Sequence, residues 1–183
     1  MKILITGVSC IGKSTIGNLL SQSLKYNFFD FDLEVEKFYN ISIERIKKEC
    51  FNEYGYREKA AIVLKNIFIS HKENIVIAMP PSGLKDNYLR VLKKQNNLIY
   101  IVLQDKPENI LERITFYDID SKQIFKKLSE KEKKLYLKEI RKEITYYKKS
   151  YLRANYIIDI SGCNPSQSVN KIINCIGENL IDK

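Results

Sequence analysis

Short apolar runs alternate along this chain with longer segments in which apolar positions recur at three- and four-residue spacing. The runs Lys2–Thr6, Asn27–Phe31, Asn74–Met79, Leu98–Leu103 and Tyr156–Ile160 are rich in Ile, Val, Tyr and Phe and show little alternation. That pattern predicts strands covered on both faces. The helical spacing predicts helices over Lys13–Leu24, Leu33–Tyr39, Ile43–Asn52, Tyr56–Ser70, Leu84–Lys94, Pro107–Ile114, Glu130–Leu152 and Pro165–Ile176. Pro107 and Pro165 fall in first helical turns, where a missing N–H costs little. Strand and helix in alternation predict an open, mostly parallel sheet between helix layers. Phe116–Lys127 is the least regular stretch, and Tyr117–Ser121 within it reads as a loop.

Composition narrows this picture. A chain of 183 residues, 44% hydrophobic and 29% charged, suits one core and one domain over residues 1–183. No apolar stretch has membrane-spanning length, and the run after Lys2 is too short for a signal peptide. A cytoplasmic monomer is the expectation. Cys10, Cys50, Cys163 and Cys175 show neither paired spacing nor neighbouring histidines, so they match neither a disulfide framework nor a zinc site. With His71 the only histidine, histidine-based catalysis has no material.

The net charge of +9 raises nucleic acid as a partner. The basic residues concentrate between Lys122 and Arg153, but Glu130, Glu132, Glu139 and Glu143 are interspersed. Leu137, Ile140, Ile144, Tyr147 and Tyr151 form one apolar stripe through the same segment. An amphipathic helix with a solvated lysine face is the simpler reading, and a basic surface also suits small anionic substrates.

The amino terminus carries the strongest chemical signal. Gly7-Val-Ser-Cys-Ile-Gly12-Lys13-Ser14 has the G-x-x-x-x-G-K-[ST] spacing of a phosphate-binding loop, with a strand before and a helix after. Gly7 turns the chain off the strand, and Gly12 lets backbone N–H groups approach phosphate oxygens. The helix start adds its positive dipole end. Gly7, Ser9, Ile11, Gly12, Lys13, Ser14 and Thr15 are therefore expected around a nucleotide such as ATP. Lys13 is placed on the β- and γ-phosphates, and Ser14 on Mg²⁺.

Beyond the first helix stands Asn27-Phe-Phe-Asp30-Phe-Asp32, a strand ending in two carboxylates at alternate positions. Two readings stand at this point. One carboxylate holds the metal shell while the other accepts the proton of an attacking hydroxyl. Alternatively, Asp32 is simply a helix N-cap.

These pieces, followed by Ile41-Ser-Ile-Glu-Arg-Ile46 and Tyr54-Gly-Tyr-Arg57, resemble the shikimate kinase family in order and spacing. The resemblance runs end to end and is densest in the first 65 residues. It implies a P-loop kinase fold with a five-stranded parallel sheet and a mobile lid, here about residues 114–128. It also implies transfer of the ATP γ-phosphate to a hydroxyl of shikimate, a small anionic acceptor, with Mg²⁺. On this resemblance Lys13 and Asp32 are catalytic, Asp30 holds the metal through water, and Arg57 pairs with the acceptor carboxylate. Arg113 lies against the adenine, Lys122 is the cationic lid residue, and Arg141 is the second carboxylate ligand, with Arg153 the other candidate.

Two positions depart from the family pattern. Ala78-Met79-Pro80-Pro81-Ser82-Gly83 stands where the family has three consecutive glycines, so two backbone donors are lost. Ser82 and Gly83, read as opening a helix, are expected to restore part of that anion site. Ala60 stands where the family has a glutamate behind the arginine matching Arg57. Three readings follow: a shikimate kinase with a remodelled acceptor pocket, a related kinase for another hydroxylated acceptor, and a nucleotide-binding regulatory protein without transferase activity.

Overall fold

The computed structural model describes residues 1–181, with side chains through Gly177. In chain order the elements begin with β1 (Lys2–Thr6), α1 (Lys13–Leu24), β2 (Asn27–Asp30), α2 (Phe31–Tyr39), α3 (Ile43–Glu49), α4 (Glu53–Ser70) and β3 (Ile75–Ala78). Then come α5 (Asp86–Leu92), β4 (Leu98–Gln104), α6 (Pro107–Glu112), β5 (Phe116–Tyr117), β6 (Gln123–Ile124), α7 (Glu130–Tyr151), β7 (Tyr156–Asp159) and α8 (Pro165–Ile181).

Five strands form a parallel sheet in the order β2-β3-β1-β4-β7. Ile3, Leu4 and Ile5 at its centre, with Ile75, Val76, Ile77, Ile101 and Val102 beside them, have no exposed surface. That explains why these strands read as apolar runs rather than alternating ones. α1 packs with α8, α4 with α5, and α6 with α7. No helix among the described residues is long and apolar enough to cross a membrane.

The order of the strands positions the site. From central β1 the chain crosses to β2 on one side, and later to β4 on the other. The crevice at such a switch opens at the carboxyl ends of the strands. Four segments converge there: the loop after β1, Asp30 at the end of β2, Met79-Pro80 after β3, and Asp105 after β4.

Several boundaries differ from the sequence expectation, each for a local reason. β2 stops at Asp30 because Asp30 caps α2, its side chain accepting from the Asp32 N–H at 3.2 Å. α4 begins at Glu53, three residues before the expected start, because the Asn52 side chain accepts from the Gly55 N–H at 3.0 Å. The helix expected from Leu84 begins only at Asp86. Residues Pro80 to Lys85 instead form tight turns, with Gly83 N–H on the Pro80 carbonyl and Lys85 N–H on the Ser82 carbonyl, both at 2.8 Å.

The irregular stretch Phe116–Lys127 contains a small antiparallel hairpin, β5 with β6, and the run expected to be a loop supplies most of its turn. The Asp118 carboxylate turns it, accepting from the N–H groups of Asp120 and Lys122, each at 2.9 Å. Its tip rests on α2 and the start of α3. The Ser42 hydroxyl donates to the Ile119 carbonyl at 2.5 Å, Arg45 Nε donates to Asp120 at 2.8 Å, and the Ser121 hydroxyl meets the Glu36 carboxylate. Replacing Ser42 and Arg45 together by alanine should speed amide hydrogen exchange of residues 116–124 by roughly fivefold to tenfold per bond lost. The central strands should exchange as before. Unchanged exchange in the hairpin would mean that other contacts hold it.

Candidate active site

The loop between β1 and α1 has the backbone that its glycines permit. Gly7 adopts φ +149°, and a Cβ there would lie 2.8 Å from the Leu103 carbonyl oxygen. Gly12 precedes α1 with φ +103°, and no side chain caps that helix. Its first-turn N–H groups therefore face the loop without a protein cap, a ready anion site. Cys10 takes φ +59°, a left-handed conformation uncommon for a residue with a β-carbon.

The Lys13 ammonium folds back over the loop and donates to the carbonyls of Gly7 (3.1 Å) and Val8 (2.9 Å). Burial lowers its pKa, against the attraction of Asp32 first and then of Glu143, Cys10 and Asp30. Ser14 and Thr15 are exposed at the helix start. Ser9 has a partner that the sequence did not suggest. Its hydroxyl and its N–H both donate to the Glu143 carboxylate of α7, at 2.8 and 3.1 Å. Both donors of Ser9 thus tie the loop to α7.

The two aspartates take different parts. Asp30 supplies the helix cap, so Asp32, within the first turn of α2, is free of that role. The same-face argument for a strand pair fails, because only Asp30 lies in the strand. They remain close enough to repel. Burial, then Asp30, pushes the Asp32 carboxyl up to about 6, with Lys13 and Lys47 opposing. A carboxylate with that pKa beside a lysine ammonium is suited to take a proton near neutral pH.

Across the crevice, Arg57 of α4 is mostly buried, its side chain 16% exposed. Its Nε donates to the Asn87 side-chain oxygen at 3.2 Å, and its guanidinium lies 3.8 Å from Glu53. Asn87 is buried on α5 and donates in turn to Glu58, which also binds Arg90. A neutral amide thus orients Arg57, while Ala60 is wholly buried in the core. Sequence reasoning missed Asn87. Only the packing of α4 on α5 brings it to Arg57.

The wall after β3 is rigid and apolar. The Thr6 hydroxyl donates to the Pro80 carbonyl at 2.7 Å, and the same carbonyl accepts from Gly83 N–H. Gly83 is packed so tightly that a Cβ would meet the Met79 Cβ at 2.7 Å. Its N–H is therefore committed to the turn, and no helix opens at Ser82. The expected restoration of an anion site by Ser82 and Gly83 is corrected accordingly. Ser82 is buried beside Tyr88, whose hydroxyl burial pushes up in pKa, with Asp32 adding to the rise.

The remaining cations divide. Arg113, at the end of α6, donates to the Ile11 carbonyl of the loop at 3.0 Å and pairs with Asp105. It lines a cavity of about 130 Å³ with Ile11, Gly12, Thr15, Ile160 and Cys163. Arg141 instead pairs with Glu108 of α6 at 2.8 Å on the surface, its side chain 60% exposed. The expectation that it faces the acceptor is corrected, because α7 turns this residue toward α6. Arg153 is taken up by the Leu84 carbonyl and Asp86, at 2.9 and 3.1 Å. Lys122 is exposed on the hairpin, and its ammonium has no ion pair among the described residues.

A phosphate loop, a perturbed aspartate and a buried arginine thus share one crevice, and the shikimate kinase family model matches residues 9–177. The chain belongs to the shikimate kinase family. A shikimate kinase of Persephonella marina is 29% identical over 172 residues, covering 93% of this chain and 96% of that one. That of Aquifex aeolicus is 37% identical over 102 residues, covering 55% of this chain and only 59% of the relative's length. The crystal structure of the Aquifex aeolicus shikimate kinase superposes over the full length of both chains with a TM-score of 0.74 at 28% identity.

Family membership brings Mg²⁺ into question, and the donor set fits it. One Asp30 oxygen accepts the Asp32 N–H, and the other has no protein partner among the described residues. With the Ser14 hydroxyl it offers sparse, hard oxygen ligation, as suits an ion that keeps its waters and binds phosphates. Among the described residues no cluster of three His, Cys, Asp or Glu forms an all-protein metal cage.

Proposed function

We propose that this protein is an ATP-dependent kinase that phosphorylates a hydroxyl of shikimate, acting in the cytoplasm as a single kinase domain with residues 114–128 as its lid. The observation that carries this reading is the geometry of the amino-terminal loop, where the Lys13 ammonium lies over the Gly7 and Val8 carbonyls beside the uncapped start of α1, with Asp32 the strongest attraction on it. The relatives' names support the choice of acceptor.

Lys13 and the uncapped N–H groups of α1 hold the β- and γ-phosphates of ATP. Arg113 borders the cavity for the base, Arg57 binds the acceptor carboxylate, and Lys122 is the lid's cation. Asp32 accepts the proton of the acceptor hydroxyl. The hydroxyl oxygen bonds to the γ-phosphorus, and the bond to the β,γ-bridging oxygen breaks, releasing ADP. Ser14, and Asp30 through water, would hold Mg²⁺, which would neutralise phosphate charge. Catalysis of this kind is mostly positioning and electrostatic stabilisation.

Pro80-Pro81 favours a second reading, a related carboxylated polyol as the better acceptor. Each donor missing from that wall is worth ~1–3 kcal/mol to a polar ligand, and two together raise KM by ~10²-fold or more. Coupled measurement of ADP release with MgATP decides between them. Shikimate-dependent turnover with a phosphorylated product supports the first reading. Release driven by another hydroxylated acid and not by shikimate supports the second, and release with no acceptor would overturn both.

A further inference from the structure

Lys85 sits in the last turn before α5, two residues ahead of Asn87. It is half-buried, yet its ammonium has neither an ion pair nor a hydrogen bond among the described residues. It rests instead on two aromatic faces of α7, 4.4 Å from the ring centre of Tyr146 and 5.6 Å from that of Tyr147. A cation–π contact holds an ammonium in place without neutralising it.

The carboxylates nearby are committed elsewhere. Asp86, next in sequence, turns to Arg153. Glu58 binds Arg90 and Asn87, and Glu53 leans toward Arg57. Glu143, one turn of α7 from Tyr147, gives both of its oxygens to Ser9 of the phosphate loop. Tyr147, beneath Lys85, also lies in the fields of Arg57 and Glu143. One stretch of α7 therefore carries Lys85 through Tyr146 and Tyr147, holds the phosphate loop through Glu143, and feels the charge of Arg57 at Tyr147. The turn that carries Lys85 is the continuation of the proline wall.

We infer that Lys85 is a specificity-determining residue of the acceptor site, its ammonium binding the acceptor carboxylate together with Arg57. The inference rests on the reading that the acceptor is a carboxylated polyol. It assigns to the turn after Pro81 a charge that compensates for the donors the prolines remove. The aromatic faces keep the long side chain ordered, so little of its freedom remains to be lost when the carboxylate arrives.

The test compares wild type with Lys85→Met and Lys85→Arg, using shikimate and its methyl ester, by steady-state kinetics and by calorimetric titration. Lys85→Met should raise the shikimate KM and dissociation constant by ~10-fold or more. The KM for MgATP and the melting temperature should stay near wild type, and Lys85→Arg should recover most of the loss. Wild type should prefer shikimate over the ester by a larger factor than Lys85→Met does. Equal losses on acid and ester, or no change in KM, would overturn the assignment. If wild type binds a different carboxylated polyol instead of shikimate, the same comparison is made with that acid and its ester. Indifference of Lys85→Met there removes the inference alone, whereas failure of wild type to bind any such acid removes the anionic-acceptor reading with it.

Discussion

Lys13→Met is expected to fold normally and to lose turnover by at least ~10²-fold, because the developing charge on the transferred phosphoryl group loses its nearest cation. Methionine keeps the length and bulk of the stem. What disappears is the ammonium that lies over the Gly7 and Val8 carbonyls. Burial already works against that charge, so its removal relieves a desolvation cost while forfeiting the attraction of Asp32. The two effects oppose, and the melting temperature should shift by only a few degrees. Steady-state kinetics beside a melting curve checks both halves. A well-folded variant with wild-type turnover would sink the assignment of this loop.

The second large effect belongs to Asp32. If its carboxylate takes the hydroxyl proton, kcat/KM for the acceptor should fall tenfold per pH unit below about 6, where the group is pushed in the fold. Asp32→Asn should lose ~10²- to 10⁴-fold in rate and abolish that acidic limb. The substitution leaves the helix cap untouched, since Asp30 provides it. The stability sign is opposite to that of an ion-paired acid. The folded pKa lies above the unfolded value of 3.8, so the fold holds the extra proton between about 4 and 6. The stability this group contributes is present in acid and is lost as the pH rises through about 6. In Asp32→Asn that pH dependence disappears. A rate profile still falling below pH 6 in the asparagine variant would point to another titrating group.

The parts legible in the sequence share a short-range cause. The glycines and lysine of the loop and the apolar strand runs are read within a few residues, and the structure places them accordingly. The departures come from partners distant along the chain or from turns that periodicity cannot register. The alternation of Asp30 and Asp32 suggests a strand pair, but a side-chain bond spanning two residues ends the strand and starts the helix. The hairpin at 116–124 looked irregular because its tip is held by Glu36, Ser42 and Arg45, on segments some eighty residues earlier. Arg141 lay on the expected helix, but which way α7 faces is set by α6 and the loop. Asn87 and Lys85 carry no local signal at all. Their surroundings are assembled from α4, α5 and α7.

The segment from Met79 to Gly83 offers a ligand few backbone donors: two prolines have none, the Met79 and Gly83 N–H groups are bonded to Ile5 and Pro80 carbonyls, and only the Ser82 N–H remains. An inhibitor that owes its potency to accepting hydrogen bonds from glycine N–H groups at this position in other enzymes should therefore act poorly here. A compound presenting a methyl group or a ring edge to the two prolines should gain, because neither proline has an N–H to desolvate. Potency ratios between two such compounds would distinguish this protein from relatives that share its phosphate loop, without any need to exploit the nucleotide side.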